Sequence, residues 1–185
     1  MSGHSRWAQI KHKKAALDAK KGKLFSRLSK MLTIAAMERG PDPKTNPRLA
    51  QAIEEAKKEN LPKENIERAI KRASEKEGLD LKEVVYEAFG PGGSALIITA
   101  VTDNSNRTTN EIKHILSLHD GKLGVEGSAM WAFDHAGEEF KAKFPQQLSP
   151  EDQKKFENLL EALSEQDEVE NVYSNIFDSN ESLGN

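Results

Sequence analysis

The sequence predicts an α+β protein in which a basic N-terminal three-helix domain precedes a ferredoxin-like βαββαβ domain with one extra leading strand. Three observations lead there. Apolar residues recur with helical spacing as far as Glu75. From Val84 the pattern changes to strand-like runs of β-branched and aromatic residues separated by glycine-rich turns. The charge reverses close to the same place: residues 1–76 hold 19 Lys and Arg against 9 Asp and Glu, and residues 77–185 hold 8 against 21.

Each element follows in order. From Lys11 to Arg39 there is no proline and one glycine, Gly22, so a helix or two collinear helices is expected, with Gly22 marking where a basic arm gives way to a packed helix. Leu17, Leu24, Phe25, Leu28, Met31, Leu32 and Ala35 share about a third of its circumference. Lys13, Lys20, Lys23, Arg27 and Lys30 fall on a neighbouring sector. Gly40-Pro41-Asp42-Pro43 stops this helix, and Asn46-Pro47 supplies an N-cap and a first-turn proline for a second, running to Glu59. A third opens near Pro62 and reaches Glu75. Leu49, Ala52, Ile53 and Ala56, then Ile66, Ala69, Ile70 and Ala73, repeat one amphipathic spacing, so three helices can close a small core.

Val84–Phe89 and Ala95–Val101 read as strands across a turn at Gly90-Pro91-Gly92-Gly93. Thr108 and Glu111 have capping-box spacing and open a helix with Ile112, Ile115 and Leu116 on one face. Met130–Phe133 and Glu139–Phe144 form a hairpin. Ser149-Pro150-Glu151 starts a last helix with Phe156, Leu159, Leu160 and Leu163 inward, and a strand at Val169–Tyr173 closes the domain. The expected domains are 1–76, 77–178 and a polar, disordered tail at 179–185.

Composition narrows the function classes. No run of residues reaches the ~18 apolar positions of a membrane span, and no apolar segment follows the basic N-terminus as a secretory signal requires. The chain has no cysteine, which removes disulfides, thiolate nucleophiles and Cys-ligated metals, and a cytoplasmic protein is expected. His4 and His12 lie eight residues apart with no neighbouring carboxylate, so no metal and no cofactor is expected. His114 and His119 have no serine nucleophile in a motif, no nucleotide fingerprint is present, and the chain is not read as an enzyme.

The first 50 residues hold 12 basic and 3 acidic side chains. Arg6, Lys11, Lys13, Lys14, Lys20, Lys21, Lys23, Arg27 and Lys30 crowd into a few turns, and Asp18 is the one carboxylate between Lys11 and Lys30. Such cations repel one another unless an anion is near, so a polyanion is the expected partner, against the alternative of a solvated helix face. Trp7 lies within this segment and has two readings: it stacks on an unpaired base, or it anchors the arm on the helical core together with Ile10. Asp103, Asn104, Asn106 and Arg107 stand at a strand-to-helix junction, where they cap backbone amides or form a second polar surface. Gly121-Lys122-Leu123-Gly124 has the spacing of a KH-domain clamp but lies between a helix and a strand, so it reads as a helix end and loop.

Several blocks of the chain resemble the YebC/PmpR family. They are the opening Met1-Ser2-Gly3-His4-Ser5-Arg6-Trp7 through Lys23, Asn46-Pro47-Arg48-Leu49, and Pro62-Lys63-Glu64-Asn65-Ile66-Glu67-Arg68-Ala69-Ile70. Tyr86-Glu87 with Gly90-Pro91-Gly92-Gly93, Thr102-Asp103-Asn104-Ser105-Asn106-Arg107-Thr108 and Val172-Tyr173-Ser174-Asn175 complete the set in the same order. The resemblance implies a nucleic-acid-linked regulator of gene expression: a DNA-binding transcriptional regulator, or alternatively an RNA- or ribosome-associated translational activator. No membrane and no small-molecule substrate is expected as a partner. Family members usually carry a further α/β domain inserted in the second, whereas here Phe133 and Phe140 are joined by a tight turn, as expected of a short form.

Overall fold

The computed structural model describes Trp7 and residues 18–75, 81–136 and 139–177, with residues 18–20 and 136 described by their backbone alone. The expected tail at 179–185 lies outside these residues. The described residues fall into two compact units. One holds 18–75 with 81–84 and 101–105; the other holds Trp7 with 85–100, 106–136 and 139–177.

The helical unit is built on α1 (Asp18–Arg39), α2 (Pro47–Lys58) and α3 (Lys63–Arg72). Gly22 lies inside α1 rather than at its boundary. The apolar stripe closes as the spacing predicts: Leu24, Leu28, Leu32 and Ala35 pack with Leu49, Ala52, Ala56, Ile66 and Ala69. Asn46 is the joint between α1 and α2. Its side-chain oxygen accepts from the Leu49 amide at 3.0 Å, while its amide nitrogen donates to Ala35 O at 2.7 Å and Gly40 O at 2.9 Å. One buried side chain therefore caps α2 and satisfies carbonyls at the end of α1. Thr33 Oγ1 donates across to Ala69 O of α3 at 2.8 Å. A second small cluster, Ile34 with Leu81 and Val101, buries another flank of α1.

The sheet unit contains β1 (Lys82–Phe89), β2 (Ala95–Thr102), α4 (Ser105–Leu118), β3 (Lys122–Leu123), β4 (Phe133–Ala136), β5 (Glu139–Ala142), α5 (Pro150–Glu165) and β6 (Val169–Ser174), with β1, β2 and α4 starting or ending in the helical unit. The α+β class holds, with an antiparallel four-stranded sheet in the order β3-β1-β2-β6. Its strand membership differs from the expected βαββαβ pattern. The leading strand β1 is an inner strand, β3 takes the edge beside it, and the hairpin β4–β5 is a separate two-stranded sheet. The reason is the direction of the hairpin's aromatic side. Phe133 and Phe140 pack with Ala95, Ile97 and Tyr173, which line one face of the sheet. A hairpin lying on a face cannot also extend an edge. Short β3 was missed because two residues carry no periodicity. It runs between Gly121 and Gly124, pairing Leu123 with Ala88 and Lys122 with Phe89.

Leu96, Ile98 and Val172 point to the opposite side of the pleat and are buried, as are Phe156, Leu159, Leu160 and Leu163 of α5. Ser149 caps α5 by accepting from the Asp152 amide at 3.1 Å, as the sequence predicts. Gly92 and Gly93 adopt φ of 65° and 72°, which makes the 90–93 segment a tight turn.

Candidate nucleic-acid interface

Helix α1 carries the clustered cations that lie among the described residues. Lys21 and Lys23 are exposed and Lys30 is half-buried; Lys20 lies on the same helix. Arg6, Lys11, Lys13 and Lys14 lie outside the described residues. Arg27 is a correction to the sequence reading, being only 5% exposed. It sits two turns before Ile34 on one flank of α1, and that flank is buried as well as the leucine stripe. A single stripe was legible in the sequence; the second covered flank depends on Leu81 and Val101, distant in the chain. Several cations of the helical unit are engaged by carboxylates. Arg48 is held between Glu38 and Glu83, Lys63 lies 3.6 Å from Glu67, and Lys71 lies 4.0 Å from Glu75.

Trp7 requires the second correction. It is 1% exposed, and its indole Nε1 donates to Glu170 O at 3.3 Å. A ring so covered offers no face to a base, so the anchoring reading holds and stacking does not. Its anchor is the sheet unit rather than the helical core. Residue Thr99 pairs with Asn171 and Ala100 with Val169, so the ladder skips Glu170, a β-bulge. A bulge leaves its extra residue outside the ladder, and the indole occupies that carbonyl.

The junction residues also have a definite arrangement. Asp103, Asn104 and Asn106 are exposed, and the Asn104 amide donates to Thr102 Oγ1 at 2.8 Å. Arg107 does more than cap: its guanidinium donates to the buried Glu168. Helix α4 begins at Ser105, so Thr108 lies within the first turn and does not cap it. Instead of forming a capping box, Thr108 Oγ1 donates to Glu168, and Glu111 accepts from Gln166 Nε2 at 2.9 Å. The four-residue spacing was real, but both side chains point to a segment some 60 residues away in sequence. Tyr86 stands beside this network, accepting from Thr109 at 3.2 Å. Burial pushes its hydroxyl pKa up, the Thr109 bond acts against that, and the charge of Glu168 adds to the rise.

Glu87 was likewise not singled out from sequence. Its buried carboxylate accepts from the amides of Gly127, Ala129 and Met130 at 2.5, 2.6 and 2.7 Å. Burial alone would raise its pKa, but the three amide donors outweigh it and hold the carboxyl below the usual range. An acid on a strand whose neighbours Tyr86 and Ala88 are apolar was the available signal. The Gly121–Gly124 segment is strand β3, not a phosphate clamp. A Cβ at Gly121 would meet Phe89 O at 2.8 Å, so the glycine serves close backbone approach. Among the described residues, no group of three His, Cys, Asp or Glu could hold a metal ion, and no helix is long and apolar enough to cross a membrane.

These features define a two-unit α+β protein with clustered lysines on the first helix of one unit and a sheet unit rich in buried, partnered carboxylates. Residues 5–76 match the domain described as TACO1/YebC protein N-terminal domain, and residues 81–142 match that described as TACO1/YebC second and third domain. A probable transcriptional regulatory protein of Thermoanaerobacter pseudethanolicus is 42% identical over 238 residues, covering 95% of this chain and 97% of that protein. A protein of the same description from Pseudothermotoga lettingae is 55% identical over 138 residues, 74% of this chain and 54% of that protein, so the chain spans about half of that relative. The crystal structure of a conserved hypothetical protein from Aquifex aeolicus superposes with a TM-score of 0.84 at 36% identity, covering 97% of this chain and 99% of that one. The chain belongs to the TACO1/YebC family. The alignment of 238 positions exceeds the 185 residues here, so at least 53 positions of the Thermoanaerobacter relative face no residue of this chain.

Proposed function

We propose that this protein is a nucleic-acid-binding regulator of gene expression that acts through its basic N-terminal segment. The observation that carries this reading is the cluster of lysines on α1, with Lys21 and Lys23 exposed and a single acid, Asp18, among eight cations from Lys11 to Lys30. The names of the relatives, probable transcriptional regulatory proteins, support DNA as the target and transcription as the process. A second reading, an RNA- or ribosome-associated translational activator, is favoured by a different feature. The lysine-bearing helix α1 contains no Asn or Gln, residues that a recognition helix uses together with Arg to read base edges in the major groove. Backbone contacts then supply most of the affinity. Cytoplasmic location and the absence of a catalytic role belong to the same proposal.

The test is salt dependence. Neutralising about five phosphates gives a slope of log K against log salt of roughly −4.5 on duplex DNA and −3.5 on single strands. Replacing Lys21 and Lys23 together by Ala should flatten the slope by about 1.4 to 1.8, at near-constant stability, as measured by fluorescence anisotropy. A wild-type slope near zero overturns the proposal.

A further inference from the structure

The sheet unit bears an aromatic surface that the basic segment does not explain. Trp131 is 60% exposed and Phe144 is 53% exposed, and their ring centroids lie 5.7 Å apart at 41°. A surface tryptophan is usually free to move, but this one is held. Its Nε1 donates to Ser128 O at 2.8 Å, within the loop that Glu87 clamps through Gly127, Ala129 and Met130. The Phe144 side is tied to the same segment, since the Lys143 amide donates to Ala132 O at 2.8 Å. Lys143 Nζ lies 5.9 Å from the Phe144 ring centroid and 3.6 Å from Asp134. Lys141, two residues earlier on β5, is exposed and points to the same side.

We infer that this surface binds single-stranded RNA, with Trp131 and Phe144 stacking on unpaired bases and Lys141 and Lys143 meeting the phosphates beside them. The inference rests on the nucleic-acid-binding reading above and chooses the partner within it. Two exposed aromatic faces with adjacent cations match the two chemistries of a single strand, a π-face on every base and a charge on every phosphate. A closed duplex offers the cations a backbone but gives the rings nothing. Among nucleic acids, unpaired and splayed bases belong chiefly to RNA loops and ends. Preorganisation helps, because the indole is already fixed by Ser128 and loses little freedom on binding.

The experiment uses the full chain at low salt with a short single-stranded RNA of mixed sequence, the corresponding RNA duplex and a DNA strand of the same sequence. W131A should bind the single-stranded RNA about fivefold or more weakly, while duplex affinity stays within about twofold. W131F should retain most of the single-strand affinity. The single strand should also quench the fluorescence of Trp131 in the wild-type chain, a reading that needs no variant, since Trp7 is buried. If W131A binds like wild type and no quenching occurs, while substitution of Lys21 and Lys23 abolishes binding, the surface inference falls and the nucleic-acid reading stands. If the wild-type chain binds no nucleic acid, both fall. Tighter binding of the DNA strand than the RNA overturns the assignment to RNA.

Discussion

In the helical unit, Leu24, Leu28 and Leu32 of α1 meet partners that a 3.6-residue repeat aligns on each of the two neighbouring helices. In the sheet unit, Glu168 is reached by Arg107 from 61 residues away and by Thr108 from 60. The first unit buries mostly alkyl groups, for which many arrangements are nearly equivalent. The second buries carboxylates, and a buried carboxylate tolerates few arrangements, because each oxygen needs a donor. Local pattern therefore describes the helical unit well, while the sheet unit depends on contacts that only the folded chain creates.

The two tryptophans repeat the contrast on a smaller scale. Trp7 comes from the basic segment, where an aromatic suggests stacking, and is buried against the Glu170 bulge. Trp131 comes from a run that reads as an ordinary strand, Met130-Trp131-Ala132-Phe133, and is exposed. Residues 130–132 form a 3-10 turn, which breaks the two-residue alternation a strand would impose.

Substitutions in the two units test this difference. The largest effect is expected at the long-range pair. Arg107→Ala leaves Glu168 buried beside Thr108 and Gln166 without its guanidinium, and should destabilise the protein by about 2–3 kcal/mol. This is below the cost of a fully buried pair because the Arg107 side chain is half-exposed. Chemical denaturation followed by circular dichroism measures it, and an Arg107→Lys variant should recover only part of the loss.

Glu87→Gln comes next, with an expected loss of about 2 kcal/mol, because a neutral amide oxygen accepts less strongly from the three backbone donors. Its pH dependence follows from the direction of the shift. A carboxyl whose pKa is lower in the folded chain contributes stability that is fully present above its unfolded value, about 4.3, and is lost as pH falls through the folded value. The wild-type chain should therefore lose stability on acidification in that window, and the Gln variant should lose less there. Equal acid limbs for the two proteins would assign the loop's order to something other than the charge of Glu87.

The smallest effect has the opposite sign and lies in the helical unit. Gly22 is inside α1, exposed, with nothing within 4 Å of an added Cβ. Gly22→Ala should stabilise the chain by roughly 0.5–1 kcal/mol, read as a rise in thermal midpoint. It isolates helix propensity from packing, and a loss of stability would show that α1 needs to bend there.

By itself, the sequence determined the α+β class, the three-helix order, the Asn46–Pro47 and Ser149–Pro150 starts, the inward faces of α2 and α5, and the charge reversal between the two halves. The charge reversal is a matter of composition, and the others depend on residues within one or two turns of one another, so spacing is sufficient. Tertiary structure alone decided that Arg27 and Trp7 are covered, that Thr108 and Glu111 serve Gln166 and Glu168 rather than a helix cap, and that β1 is an inner strand. It also decided that the hairpin lies on a sheet face and leaves Trp131 and Phe144 exposed. The physical reason is common to all of them: burial and hydrogen-bond partnership are set by whatever lies opposite in space, and a residue's sequence neighbours carry no record of it.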